Sequence, residues 1–189
     1  MHARRAVRVT PRCPRCRLLP ELCLCADIPT LATRTRIVVV RHASEVSRTS
    51  NTGHLAVAAL SNALLVDYGL PGRPLDLRPV LGDRARVLWP GGGTDVEPPD
   101  TLVVLDGSWS QVRTMRARIP PLMGLPSLDL PAPTEAPRRI RTAPTAGAMA
   151  TMEAVAAALV LLGEREQGEA LGRFFSLVVA RQRRMRGEV

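Results

Sequence analysis

The run Ile37-Val38-Val39-Val40, bracketed by Arg36 and Arg41, constrains the fold of this chain more than any other feature. All four residues are β-branched, and no polar residue interrupts them. A strand built from them is covered on both faces, as in a parallel sheet sandwiched between helices. Two further candidate buried strands follow, Ala85 to Trp89 and Thr101 to Leu105, and a fourth is expected at Arg138 to Arg141. Helical signals fall between them. Asn51 can cap a helix whose Leu55, Ala58, Ala59, Asn62 and Val66 share one face and which ends near Gly69 and Pro71. Ser108 can cap another through Val112, Met115 and Arg116, and Thr151 a third, to Leu162. A last helix, about Glu169 to Arg186, aligns Leu171, Phe174, Phe175, Val178 and Val179. The expected fold class is α/β, a mostly parallel sheet with helices on both faces. In such sheets ligands sit at the carboxyl ends of the strands. Pro90 to Gly93, Asp106 to Trp109 and Thr142 to Thr151 occupy those ends.

The four cysteines crowd into one short stretch, as Cys13-x-x-Cys16 and Cys23-x-Cys25. Thiolates this close in sequence can meet at one tetrahedral zinc ion, and no position is evidently left open for water, so a structural site is expected. Zinc would contribute on the order of 10 kcal/mol to ordering a segment with almost no core of its own. Residues 1–30 read as a small N-terminal zinc-binding segment and 31–189 as the main α/β domain.

Every one of the 26 basic residues is arginine. GC-rich coding explains the missing lysine but not the net charge of +9. The charge is also uneven. Residues 1–50 carry ten arginines against Glu21, Asp27 and Glu45, whereas 51–189 carry sixteen against fourteen acids. Such a basic pole suits a polyanion, most simply nucleic acid. Arg12, Arg15 and Arg17 would be displayed on the zinc-held segment. The basic run Arg181 to Arg186 either touches RNA or complements the dipole of its own helix. Met1 to Arg17 lacks the apolar region of a secretory signal, and the longest apolar run, Ala154 to Leu162, is about half a membrane span. A cytoplasmic chain with no membrane and no obligatory protein partner is expected.

Three segments carry chemistry-bearing residues: Arg41 to Gly53, Leu105 to Gln111, and Arg139 to Pro144 with Thr151 to Ala154. Singly, each has a plain structural reading. Asn51-Thr52-Gly53 can start a helix, Asp106-Gly107 can be a turn, and Trp109 can belong to a core. In this order, with the cysteines in front, they resemble the DTW-domain family, named for an Asp-x-Thr-Trp motif. The matching residues are Cys13, Cys16, Cys23 and Cys25; His42-Ala43-Ser44-Glu45 through Arg48 to Asn51-Thr52-Gly53; Asp106-Gly107-Ser108-Trp109; and Thr151-Met152-Glu153-Ala154. Ala43, Ser108 and Met152 stand where the family usually has Pro, Thr and Leu, and Pro90 to Gly93 where it tends to have Pro-Ser. Serine keeps the hydroxyl of threonine.

The resemblance implies a tRNA-uridine aminocarboxypropyltransferase with a SPOUT-like fold and a trefoil knot. Such an enzyme moves the 3-amino-3-carboxypropyl group of S-adenosylmethionine to the imide nitrogen of uridine and leaves methylthioadenosine. The catalytic residues it implies are Asp106, Ser108 and Trp109. Candidates for gripping the cofactor are Trp89, Pro90, Gly91, Leu105, Gly107, Thr142, Pro144, Met149, Thr151 and Glu153. Candidates for RNA contact are Arg41, His42, Glu45, Arg48, Asn51, Thr52, Arg113 and Arg116. Asp106 is the natural acceptor of the imide proton, but an ordinary aspartate is about five pKa units more acidic than the imide, a mismatch of about 7 kcal/mol. Either burial raises it or it acts late, as the bond forms. Two other readings stand beside this one: a SPOUT-type RNA methyltransferase using the same cofactor, and a non-catalytic zinc-containing RNA-binding protein.

Overall fold

A computed structural model describes residues 11–131 and 149–188. Among these residues five strands form one sheet: β1 (Arg36–His42), β2 (Ala63–Tyr68), β3 (Arg86–Gly93), β4 (Thr101–Asp106) and β5 (Ser127–Leu128). Their order is β2-β1-β4-β3-β5 and every pairing is parallel. The unbroken apolar runs are buried on both faces, as their composition requires. Ile37, Val39, Leu102 and Val104 face one core. Val38, Val40, Val87 and Val103 face the other.

Five α-helices among the described residues flank the sheet: α1 (Gly53–Ala59), α2 (Trp109–Arg118), α3 (Pro120–Met123), α4 (Thr151–Leu161) and α5 (Arg165–Met185). Helices α1, α4 and α5 cover the first face with Leu55, Met152, Val155, Leu159, Phe174 and Phe175. Helices α2 and α3 cover the second with Met115 and Leu122. The apolar face expected of the last helix is the buried face of α5, which starts earlier, at Arg165. Cys16, Leu18 and Leu24 are buried in the same cluster as the first face, so the cysteine segment shares the core of the sheet.

Three expectations change. The helix from Asn51 ends at Ala59, and Ala63–Tyr68 is a strand paired with β1 along its length, Ile37 opposite Ala63 through His42 opposite Tyr68. Ala63-Leu64-Leu65-Val66 fits helical spacing and strand burial equally well, and the open edge of β1 decides between them. The strand expected to stop at Trp89 continues to Gly93. Leu88 and Gly93 both register against Leu128, so residues 89–92 bulge out of the ladder between them. Gly91 lies in that bulge at φ +85°, a conformation that favours glycine. The caps move by one residue: α1 is capped at Thr52 and α4 at Ala150, which releases Asn51 and Thr151 for other bonds. The strand expected at Arg138 to Arg141 lies outside the described residues. The trefoil knot depends on the chain path between β5 and α4, of which residues 132–148 lie outside them too.

Candidate active site

Strands β1 and β4 are neighbours, but their chain continuations part. From β1 the chain crosses through α1 to β2 on one side, and from β4 through α2 and α3 to β5 on the other. Because α1 and α2 lie on opposite faces, a crevice opens at the carboxyl ends of these two strands, the usual ligand position in open α/β sheets. Arg41 registers opposite Asp106 at that point.

Asp106 is 5% exposed. The Asn51 side-chain amide donates to its Oδ2. The Thr151 hydroxyl donates to its Oδ1 at 2.7 Å. A Cβ on Gly53 would stand 2.6 Å from Oδ2, so only glycine admits the carboxylate there. The Thr52 hydroxyl accepts from the Met152 backbone N–H at 3.3 Å and joins the starts of α1 and α4. The Asn-Thr-Gly stretch, the aspartate of Asp-Gly-Ser-Trp and the threonine of Thr-Met-Glu-Ala therefore meet at one carboxylate. Desolvation by burial pushes its pKa up, while the bonds from Thr151 and Asn51 partly oppose that rise.

A second chain of bonds organises the other side of the crevice. The Ser108 Oγ accepts from the Gln111 N–H, and the Gln111 Oε1 accepts from the Ser108 N–H at 2.7 Å, a complete capping box at the start of α2. Gln111 Nε2 then donates to the Ser44 Oγ at 2.8 Å, which lies 2.9 Å from His42 Nδ1. The Ser44 N–H also donates to that nitrogen. Gln111 and Ser44 carry no role in the sequence reading beyond membership of their segments. The Ser-x-x-Gln spacing of a capping box was the signal available for Gln111. Trp109 is 38% exposed and meets Trp89 edge-to-face, with ring centroids 5.8 Å apart at 84°. The bulge of β3 and the start of α2 thus present an aromatic pair beside the crevice.

The residues expected at RNA divide by burial. Arg41 is 4% exposed and held two-pronged by Asp67, with Nε 2.7 Å from Oδ1 and Nη2 3.2 Å from Oδ2. Glu45, Asn51 and Thr52 are buried as well. Arg116 is half-buried and donates to the Leu125 carbonyl at 2.9 Å. Arg48 and Arg113 are exposed, Arg48 through an ion pair with Glu45 at 3.2 Å. Among the cofactor candidates, the Gly91 N–H donates to Asp129 Oδ2 at 2.8 Å, and Glu153 accepts from the Ala150 N–H at 3.3 Å, half of a capping box. Leu105, Gly107 and Met149 are half-buried and Pro90 is exposed. Thr142 and Pro144 lie outside the described residues. An open cleft of about 330 Å³ lies at the opposite end of the sheet, lined by Arg36, Asn62, Asp100 and Thr101 among others, and no expected site residue lines it.

The sulfurs of Cys13, Cys16, Cys23 and Cys25 lie within 4.8 Å of one another, a fit to one metal ion. Cys13 and Cys25 are 3.4 Å apart, and Cys16 and Cys23 3.6 Å. Backbone N–H groups of Cys16 and Arg15 lower the Cys13 thiol to about 6. Burial raises Cys16. Arg17, at φ +62°, turns the chain after the first pair of cysteines and donates to the Val46 carbonyl.

The DTW domain model matches residues 10–183, and the chain belongs to that family. It is 28% identical over 171 residues to tRNA-uridine aminocarboxypropyltransferase 2 of Drosophila melanogaster, covering 82% of this chain and 68% of the relative. It is 30% identical over 169 residues to the Mus musculus protein of that name, covering 80% of this chain and 56% of the relative. For the Macaca fascicularis protein of that name the identity is 26%, over 80% of this chain and 56% of the relative. The chain thus spans little more than half the length of the two mammalian relatives. No solved structure matches it.

Proposed function

We propose that this chain transfers the 3-amino-3-carboxypropyl group of S-adenosylmethionine to the imide nitrogen of a uridine in tRNA and releases methylthioadenosine. The names of its relatives support the substrate and the reaction class. The observation that carries the reading is the buried Asp106, to which Asn51, Gly53 and Thr151 converge from the other family segments. The cofactor supplies an activated carbon on a sulfonium. The task left to the protein is to decide which carbon faces the uracil, which is positioning work. The backbone of the β3 bulge and of Leu105 to Ser108 holds the cofactor, and the Trp89–Trp109 pair offers a face for a flat ring. As the new C–N bond forms and the C–S bond breaks, the imide proton passes to Asp106 and on to water. Burial narrows the gap between this carboxylate and the imide, and the bonds from Asn51 and Thr151 fix its direction. Zinc, held by the four cysteines, is structural. Residues 1–30 form the metal-binding segment and 31–189 the catalytic domain. No helix among the described residues is long and apolar enough to cross a membrane, and a cytoplasmic setting keeps the thiols reduced.

The test is product analysis with the zinc-loaded chain, S-adenosylmethionine and bulk tRNA. Methylthioadenosine is the expected product, and adenosylhomocysteine would replace this reading by methyl transfer. Asp106→Ala lowers turnover by about 10²–10⁴-fold. Unchanged turnover in that variant removes Asp106 from the chemistry.

A further inference from the structure

Two basic segments at opposite ends of the sequence lie against one another. Arg12 Nη1 is 2.9 Å from the Met185 Sδ at the end of α5. Gln182 of α5 donates to the Thr49 carbonyl at 3.1 Å. Arg17 donates to the Val46 carbonyl. The cysteine segment, the end of α5 and residues 46–49 therefore touch pairwise, each against the other two. Arg12, Arg15, Arg48, Arg183 and Arg184 are exposed. No acid occurs between positions 11 and 17 or between 181 and 186. Arg48 is 51% exposed while its partner Glu45 is 4% exposed, so the pair shows its positive end to solvent. Three residues beyond Arg48 the chain reaches Asn51, which holds Asp106.

We infer that these arginines form one docking face for the phosphate backbone of folded tRNA, assembled from the cysteine segment and the end of α5 and leading to Asp106. The inference rests on the tRNA reading above. Arginine forks match phosphate oxygens, and phosphate contacts set the register in which a base reaches a site without reading sequence. A basic helix end also complements its own dipole, which would act on stability and not on RNA.

The experiment measures tRNA binding and steady-state kinetics of the zinc-loaded full chain from 50 to 200 mM salt. The variants are Arg183→Gln/Arg184→Gln, Arg15→Gln and, as control, Arg165→Gln at the other end of α5, about 30 Å away. The double variant raises Kd and KM for tRNA by about 10-fold and lowers the slope of log K against log salt by about 1–2, with kcat unchanged. Arg15→Gln lowers the slope by about 1, and Arg165→Gln leaves it as it was. A double variant that melts earlier but binds tRNA with the wild-type slope overturns the docking face. So does an effect of Arg165→Gln equal to that of Arg15→Gln, which would reflect net charge alone. A wild-type chain that yields methylthioadenosine while the variants bind normally sinks only this inference. A wild-type chain that binds tRNA but yields no methylthioadenosine sinks the functional reading, and the salt slopes still decide the face.

Discussion

The cysteine cluster and the Asp106 cluster do the same architectural job by opposite means. Each fixes a set of polar side chains against the packed sheet and helices. The cysteine cluster draws four sulfurs from one short stretch, placed so that one metal ion could join them, with the core burial of Cys16, Leu18 and Leu24 beside it. The Asp106 cluster draws Asn51, Gly53 and Thr151 from positions about fifty residues to either side, and among the described residues the hydrogen-bond donors that reach the carboxylate are neutral. A metal can hold a segment that has little core. A carboxylate tethered by an amide and a hydroxyl cannot, so it depends on the packed sheet and helices beneath it. The first cluster is a source of order and the second a consumer of it, which fits a structural role for one and a chemical role for the other.

Removing the metal is the severest way to break this contrast. Chelation, or Cys16→Ser, forfeits on the order of 10 kcal/mol of metal binding. It is expected to raise amide exchange through residues 13–25 and to lower the melting temperature of the whole chain, because Leu18 and Leu24 belong to the main core. One zinc per chain by elemental analysis is the accompanying expectation. A fully stable chelated protein would show that the segment needs no metal.

Gly53→Ala sharpens the contrast from the other side. Its Cβ would come within 2.6 Å of Asp106 Oδ2, so the carboxylate must move. A displacement of about 1 Å costs about 10²-fold in kcat. Circular dichroism and zinc content should stay at wild-type values. Full activity in this variant would mean that the position of Asp106 is not critical.

Thr151→Val has the smallest effect. It deletes one hydroxyl bond to the carboxylate, worth about 1.5–3 kcal/mol. That bond favours the charged form, so its loss pushes the already raised pKa of Asp106 higher. The acid limb of the kcat profile then moves to higher pH, and Thr151→Ser restores it. The same sign applies to stability. Burial makes the folded chain hold this proton more tightly than the unfolded one, so the cost of the buried charge is absent below the ordinary carboxylate range and grows as pH rises through the raised value. Asp106→Asn should therefore gain stability relative to wild type across that window. A gap that does not change with pH would show that Asp106 titrates normally.

Local features were legible and distant ones were not. Ile37 to Val40 and Thr101 to Leu105 became strands because unbroken apolar runs have few other places to go. Ser108 became a cap because its partner Gln111 lies three residues away. The apolar face of α5 followed from its period. Asn51 and Thr151 have the local spacing of helix caps, and there local spacing misleads: the competing acceptor, Asp106, lies far away in sequence.

By itself, then, the sequence determined the parallel α/β class, the cysteine cluster, the helix cap at Ser108 and the family segments, because spacing and composition act over a few residues. Tertiary structure alone decided that Ala63–Tyr68 is a strand, since only the open edge of β1 distinguishes it from a helix. It alone buried Arg41 against Asp67, brought the end of α5 to the cysteine segment, and turned an ordinary-looking Asp-Gly turn into a desolvated carboxylate held from two sides. Burial and cross-chain bonding depend on what packs opposite a residue, and neighbours in sequence do not carry that information.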